Sequence, residues 1–130
     1  MNYYLGDQGL SSTNPDARPG SINLEKYSEE LDKFQWRAPN CWPPLVYMAV
    51  KGLERYGFTD EANDIRDRWM AAQEQNFQET GYFHEKSVYD SSYEGVNPGL
   101  YGTIKGGFGW TIGVYLKFLH DKWASPSSPA

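Results

Sequence analysis

Apolar positions recur with helical spacing in four stretches of this chain. They predict helices over residues 23–34, 43–56, 60–79 and 110–122. The remaining segments are rich in glycine, proline, serine and asparagine and predict loop at residues 1–22 and loop or short strand at 81–109. The pattern therefore indicates an all-α fold of about four helices with one long loop that is rich in glycine and aromatic residues.

Turn-forming residues bound the two middle helices. Pro43 and Pro44 suit the first turn of a helix, where a missing N–H group leaves no hydrogen bond unmade. Gly57 lies where a left-handed C-terminal cap is expected, and Gly81 ends the following helix. Because so few residues separate the two helices, we expect them to form an antiparallel helical hairpin.

The apolar faces of the first three helices define an expected core. The residues that share these faces are Leu24, Tyr27, Leu31 and Phe34, then Leu45, Met48, Ala49 and Leu53, then Ala62, Ile65, Trp69 and Ala72. Thr59 or Asp60 is expected to cap the third helix.

The last helix is apolar on almost every side. Its large apolar residues are Trp110, Ile112, Val114, Tyr115, Leu116, Phe118 and Leu119. A helix of this kind is expected to be buried on all sides. Four helices are too few to cover it, so the pattern favours a piece of a larger all-α protein.

Composition and charge exclude several classes of function. A chain of 130 residues has the size of one domain, and a net charge of −5 without a basic patch argues against nucleic acid as a partner. No apolar run approaches the roughly 18 residues of a membrane span, and the N-terminus lacks the pattern of a signal peptide. Cys41 is the single cysteine and no Asn-X-Ser/Thr sequon occurs, which favours a cytoplasmic location.

Candidate chemistry concentrates in the segment Gln35-Trp36-Arg37-Ala38-Pro39-Asn40-Cys41-Trp42-Pro43-Pro44. It forms a loop that leads into a helix and carries flat aromatic side chains beside hydrogen-bonding groups. These are the groups that a sugar-binding cleft requires. The aromatic content of 16% is equally compatible with a large aromatic core.

This segment resembles the second signature of the trehalase family, glycoside hydrolase family 37. The matching positions are Gln35, Trp36, Pro39, Trp42, Pro43 and Pro44. Arg37 replaces the family's aspartate, and Cys41 replaces its glycine or alanine. The resemblance continues in order along the chain, at the helix from Tyr47 to Phe58, at Phe83-His84-Glu85-Lys86 and at Gly107-Phe108-Gly109-Trp110-Thr111-Ile112-Gly113-Val114.

The resemblance implies a fold and an activity. Trehalases are (α/α)6 barrels of two concentric helical rings, so residues 1–124 would form a C-terminal part of the barrel, followed by a disordered tail at 125–130. They hydrolyse trehalose with inversion, which needs two carboxyl groups roughly 6.5–9.5 Å apart. Glu85 matches the family's general base. The partners would be a small carbohydrate and the upstream part of the barrel, with no membrane or nucleic acid.

The resemblance also supplies a set of expected sugar-binding residues: Gln35, Trp36, Arg37, Asn40, Trp42, Lys86, Phe108 and Trp110. Independently of the resemblance, the sequence places Glu85 in a predicted loop among aromatic residues, and apolar surroundings make a carboxylate a better proton acceptor. No metal or other cofactor is expected, because His84 and His120 are the two histidines and neither has a second ligand at zinc spacing.

Several family features are missing. The family's general acid is an aspartate in Ser-Gly-Trp-Asp-x-Ser-Ser-Arg-Trp, which this chain lacks, and the run from Gly99 to Gly106 lacks the glutamate of Gly-Gly-Gly-Glu-Tyr-Pro. The pattern Trp-Arg-x-Pro, which contains Arg37, resembles that of the related α-glucosidases of glycoside hydrolase family 63. A non-catalytic carbohydrate-binding remnant and a purely structural helical piece stay open as alternatives. Each candidate residue also has a simpler interpretation. Glu85 could be a solvated surface acid, Arg37 could form a structural salt bridge, and Trp110 could belong to the hydrophobic core.

Overall fold

The computed structural model describes residues 4–13, 35–99 and 106–124. Within them lie helices α1 (Pro43–Arg55), α2 (Thr59–Thr80) and α3 (Gly109–Ala124), with strands β1 (Leu5–Gly6), β2 (Gly9–Leu10), β3 (Asn40–Cys41) and β4 (Ser87–Val88). The largely helical architecture confirms the predicted fold class. The helix predicted at 23–34 and the tail at 125–130 lie outside the described residues.

The hairpin of α1 and α2 begins and ends close to the predicted positions. Pro43 opens α1, and Gly57 adopts a φ of 83° in the tight connection to α2. Gly81 ends α2 in the left-handed conformation and donates its N–H to the carbonyl of Phe77 at 2.8 Å. The predicted side-chain cap of α2 is wrong, because Phe58 precedes the helix and no side chain bonds its first turn.

The core lies where the three helices meet. Its buried helical members are Val46, Val50, Ala62, Ile65, Trp69, Met70 and Phe118. The face predicted for α2 is confirmed, whereas that predicted for α1 is wrong: Pro43, Val46 and Val50 are buried and Met48 is 59% exposed. Apolar residues occupy both sides of α1, so the periodicity did not distinguish them.

Helix α3 is much less covered than its composition predicts. Within the described part of the chain, Thr111 and Phe118 are its buried residues, while Leu116 is 56% and Trp123 is 81% exposed. The prediction of burial on all sides is wrong for this chain, because α1 and α2 pack on one face of α3. None of the described helices has the length and apolar character needed to cross a membrane.

A hairpin near the N-terminus replaces part of the loop predicted at 1–22. Strands β1 and β2 pair in antiparallel register, and the turn between them contacts the segment after β4. Gln8 donates its N–H to the carbonyl of Tyr89 at 3.0 Å, and the carboxylate of Asp7 accepts the N–H of Ser91 at 2.7 Å. A Cβ on Gly6 would lie 2.2 Å from the Tyr89 carbonyl oxygen, so this close approach requires glycine.

An ion pair between α1 and α3 predicts loss of stability in acid. Asp121 accepts hydrogen bonds from Lys51 at 2.6 Å and from Lys117 at 2.6 Å. Burial raises the pKa of Asp121, but these two lysines outweigh it and lower that pKa to about 2. The ionised carboxylate therefore stabilises the fold above about pH 4, and this contribution is lost as the pH falls toward about 2.

We expect Asp121→Asn to lower the free energy of unfolding at pH 7 by on the order of 1 kcal/mol, as for other partly exposed ion pairs. Urea titrations at pH 7 and pH 2.5 measure the change. The difference between variant and wild type should shrink in acid, while the control Glu94→Gln, at an exposed loop position, should have little effect at either pH. An equal difference at both pH values would contradict the assignment.

Candidate functional site

Strands β3 and β4 bring the Gln-Trp-Arg loop beside Glu85. Asn40 pairs with Val88 and Cys41 pairs with Ser87 in antiparallel register. The N–H of Tyr89 extends the ladder to the carbonyl of Pro39 at 2.9 Å. Two segments that are far apart in sequence therefore share one site at the end of the α1–α2 hairpin.

Glu85 and Lys86 form a buried ion pair at the centre of this site. Glu85 is 3% exposed, and its Oε2 lies 3.1 Å from the Nζ of Lys86, whose side chain is fully buried. The same Nζ donates to Oε1 of Gln35 at 3.3 Å and lies 5.2 Å from the ring centroid of Trp42. The acid is thus not the solvated surface residue of the simpler interpretation.

Four aromatic side chains form a cluster that meets the pair at Trp42 and Trp110. Trp36 stacks on Trp42 with ring centroids 4.1 Å apart, and Trp110 meets Trp42 edge-on at 5.8 Å. Phe108 packs against Trp110 at 5.1 Å. Trp36 is 49% exposed and is the most exposed ring of this cluster, whereas Trp42 is buried. The exposed face of Trp36 has the form of a stacking surface for a sugar ring.

The start of α3 fixes the backbone at Glu85. The indole N–H of Trp110 donates to the carbonyl of Glu85 at 2.8 Å, and Thr111 Oγ1 donates to the carbonyl of His84 at 2.5 Å. Thr111 is fully buried and was missed as a functional residue in the sequence. Its position directly after Trp110 in the Gly-Phe-Gly-Trp-Thr segment was the feature of the sequence that could have identified it.

Asn40 is fully buried and uses its amide on the backbone. Its Nδ2 donates to the carbonyls of Gln35 at 2.7 Å and Asn97 at 2.8 Å, and its Oδ1 accepts the N–H of Asn97 at 2.7 Å. The side chain therefore joins the loop that contains Gln35 to the loop segment that contains Asn97 and Gly99. The sequence predicted loop or short strand at 81–109 but not this contact.

Arg37 lines a cavity that has no tryptophan among its lining residues. This cavity has a volume of about 420 Å³ and is also lined by Ala38, Pro39, Gly95, Val96, Asn97 and Pro98. Over residues 4–13, 35–99 and 106–124 no acidic side chain forms a salt bridge with it. The guanidinium is thus available, within this part of the chain, to a ligand in that cavity.

A second cavity of about 220 Å³ shares the lining residues 95 and 96 with the first. Its lining residues are Gln8, Asn76, His84, Lys86, Ser87, Val88, Glu94, Gly95 and Val96. Glu94 and Arg37 therefore face different cavities. In the part of the chain that the structure describes, His, Cys, Asp and Glu form no cluster that could hold a metal ion.

Cys41 has a packing role in β3. Its side chain is fully buried, and a Cβ on Gly9 would lie 2.8 Å from its sulfur. Burial raises the pKa of the thiol to about 12, despite opposing hydrogen bonds with Leu10 and Ser87. A thiol of this kind does not act as a nucleophile near neutral pH.

Sequence comparisons agree with the arrangement of these motifs. A profile of the trehalase family matches residues 10–122. The periplasmic trehalase of Pseudomonas aeruginosa is 39% identical over 102 residues, which cover 78% of this chain and 18% of the relative. The periplasmic trehalase of Salmonella typhimurium is 38% identical over 85 residues, which cover 65% of this chain and 15% of the relative. The trehalase of Tenebrio molitor is 35% identical over 90 residues, which cover 67% of this chain and 16% of the relative.

The chain thus spans less than a fifth of the length of these curated relatives. The family profile, by contrast, covers most of the chain, including the Gln-Trp-Arg loop, Glu85 and the start of α3. On this evidence the chain belongs to the trehalase family.

Proposed function

We propose that this chain is the C-terminal part of an inverting trehalase, in which Glu85 is the general base for hydrolysis of α,α-trehalose to glucose. The observation that carries the proposal is the buried Glu85 carboxylate, 3.1 Å from Lys86 Nζ and next to an aromatic cluster. In an inverting hydrolase the base activates a water on the face of the sugar opposite the leaving group. A carboxylate with fixed backbone and side chain is suited to this task, because proton transfer depends on geometry first.

The sugar-binding part of the proposal rests on the aromatic cluster. Trp36 offers an exposed ring for stacking and is itself stacked on Trp42. Trp110 packs against Trp42, and Phe108 packs against Trp110. Stacking positions a sugar without fixing its hydroxyl groups, so further polar contacts must set the linkage. Arg37 donates hydrogen bonds and accepts none, which makes it a candidate for that role.

The general acid would come from the rest of an (α/α)6 barrel. The exposed apolar side of α3, with Leu116 and Trp123, fits this proposal because exposed apolar surface of this kind is normally covered by a neighbouring element. Residues 1–124 would then complete the barrel together with upstream helices, and the small carbohydrate would bind between the two parts.

The test compares the chain alone with a graft. Incubated with trehalose, the chain alone should release no glucose, because it lacks the aspartate acid motif. Placed in the matched region of the Pseudomonas aeruginosa relative, the same residues should support glucose release above that of a graft carrying Glu85→Ala. A folded graft without activity, or turnover by the chain alone that survives purification and vanishes in Glu85→Ala, would contradict the proposal.

The alternative is an α-glucosidase similar to family 63 that acts on another α-linked sugar. Arg37 in place of aspartate favours it, since a guanidinium cannot accept the hydrogen bonds that a carboxylate would. Kojibiose and nigerose belong in the same assay, because preference for either over trehalose would select this alternative. Loss of all turnover with retained sugar binding would instead indicate the non-catalytic carbohydrate-binding remnant.

A further inference from the structure

We propose that Gln35 and Asn40 are positioning residues that hold the Lys86–Glu85 pair, rather than ligands of the sugar. If Glu85 is the base of the proposed function, they set where its carboxylate lies. Four observations carry this inference: the fixed backbone of Gln35, the packing of its side chain, the hydrogen bonds from the Asn40 amide to backbone groups, and the burial of Lys86.

The backbone of Gln35 is held by two side chains of its own loop. Its carbonyl accepts Asn40 Nδ2 at 2.7 Å and Trp42 Nε1 at 3.2 Å. Both donors are buried: Asn40 lies in β3, and Trp42 directly precedes α1. Hydrogen bonds from two buried donors restrain the carbonyl, and with it the direction in which the Gln35 side chain leaves the backbone.

The Gln35 side chain is confined between Gly99 and Lys86. A Cβ on Gly99, which has a φ of 66°, would lie 2.8 Å from Gln35 Cβ and 3.1 Å from its Oε1. On the other side Oε1 accepts the Nζ of Lys86 at 3.3 Å. Glycine at position 99 thus gives the glutamine the space in which it reaches the lysine.

Lys86 needs acceptors because its ammonium is fully buried. Moving both charges of an ion pair out of water costs several kcal/mol per ion, and the pair is sustained where further hydrogen bonds satisfy it. Gln35 supplies such a bond without a charge of its own. It therefore holds the lysine without competing with Glu85 for the lysine's charge.

Asn40 reaches no ligand in this arrangement. Its amide makes three hydrogen bonds with backbone groups of residues 35 and 97, and the residue has no exposed surface. It acts on the site by tying together the two loops that enclose the Gln35 side chain. Asn40 and Gln35 are thus successive parts of one support for Lys86.

The decisive variant is Gln35→Met in the 130-residue chain. Methionine has similar length but cannot replace the amide oxygen as acceptor, so the Lys86 ammonium should open to water more often. We expect NMR exchange of its ammonium protons to accelerate at least about ten-fold, as for a group whose local protection is lost. Gln35→Glu, which retains an acceptor oxygen but adds a charge beside Glu85, should accelerate exchange less than Gln35→Met does. The exposed control Gln78→Met should stay within about two-fold of wild type.

Gly99→Ala tests the same support without changing Gln35. The added methyl group should displace the glutamine and accelerate Lys86 exchange in the same way, and it carries the test if Gln35→Met does not fold. Unchanged exchange in the folded variant, or equal acceleration in Gln35→Glu and Gln35→Met, would overturn the inference. Since exchange requires no hydrolysis, this result is independent of whether the proposed activity is correct.

Separate measurement of kcat and KM in the active graft described above gives a second test. A positioning residue acts on the reacting group, so Gln35→Met should lower kcat and leave KM within a few-fold of the wild-type graft. A rise in KM with unchanged kcat would instead identify Gln35 as a sugar ligand and overturn the inference.

Discussion

Glu85→Gln is expected to lower kcat by about 10²–10⁴ in the graft that combines this chain with the remainder of a related trehalase, since this is the usual contribution of a general base. Glutamine keeps the shape of the side chain but cannot take a proton from water. KM should change by no more than a few-fold, because the base acts mainly in the transition state. Initial rates of glucose release over a range of trehalose concentrations separate the two parameters.

Glu61→Gln provides the matched control for this experiment. Glu61 is an exposed glutamate in the first turn of α2, at the end of the helix away from the Gly81 turn. It should leave kcat within about two-fold, as expected for a surface substitution. A Glu85→Gln graft with near wild-type kcat would show that another residue is the base.

Phe118→Ala is expected to lower the free energy of unfolding of the chain by about 3–5 kcal/mol, the usual cost of deleting a buried phenylalanine ring. Phe118 is fully buried in α3 and packs against Trp69 with centroids 5.8 Å apart and against Tyr47 at 5.9 Å. Its removal would leave a cavity where all three helices meet. Equilibrium denaturation followed by circular dichroism measures the loss.

Leu116→Ala is the control in the same helix. Leu116 is exposed in this chain, so its truncation should cost less than about 1 kcal/mol here. Comparable losses for the two variants would contradict the assigned packing of α3. In the active graft, by contrast, Leu116→Ala should become more costly if upstream helices cover this face, as the proposed barrel requires.

The sequence predicted the existence of the described helices better than it predicted their environment. The ends of α1 and α2 follow from prolines and glycines, whose backbone restrictions act locally. The buried face of α1 was predicted wrongly because its apolar residues lie on both sides, and the choice depends on where α2 packs. The burial of α3 was predicted from composition alone, although coverage depends on neighbours that this chain does not supply in the described residues.

At the site, too, the sequence predicted which residues take part better than it predicted their surroundings. Motif resemblance predicted Glu85, Lys86, Gln35 and the tryptophans as one set, and the structure brings them together. The roles within that set depend on hydrogen bonds that cross between distant loops, such as the contact of Asn40 with Asn97 at 2.7 Å. Neither periodicity nor spacing encodes such a contact, which explains why Asn97, Gly99 and Thr111 were not identified in advance.

The short ladder of β3 and β4 makes the site and the helical hairpin one cooperative unit. Gln35 and Lys86 are 51 positions apart, and most of the intervening chain is in α1 and α2. An unfolded chain would lose much conformational entropy on closing that loop, whereas a folded hairpin already holds its two ends near each other. Opening the hairpin would therefore disperse the aromatic surface and the ion pair together.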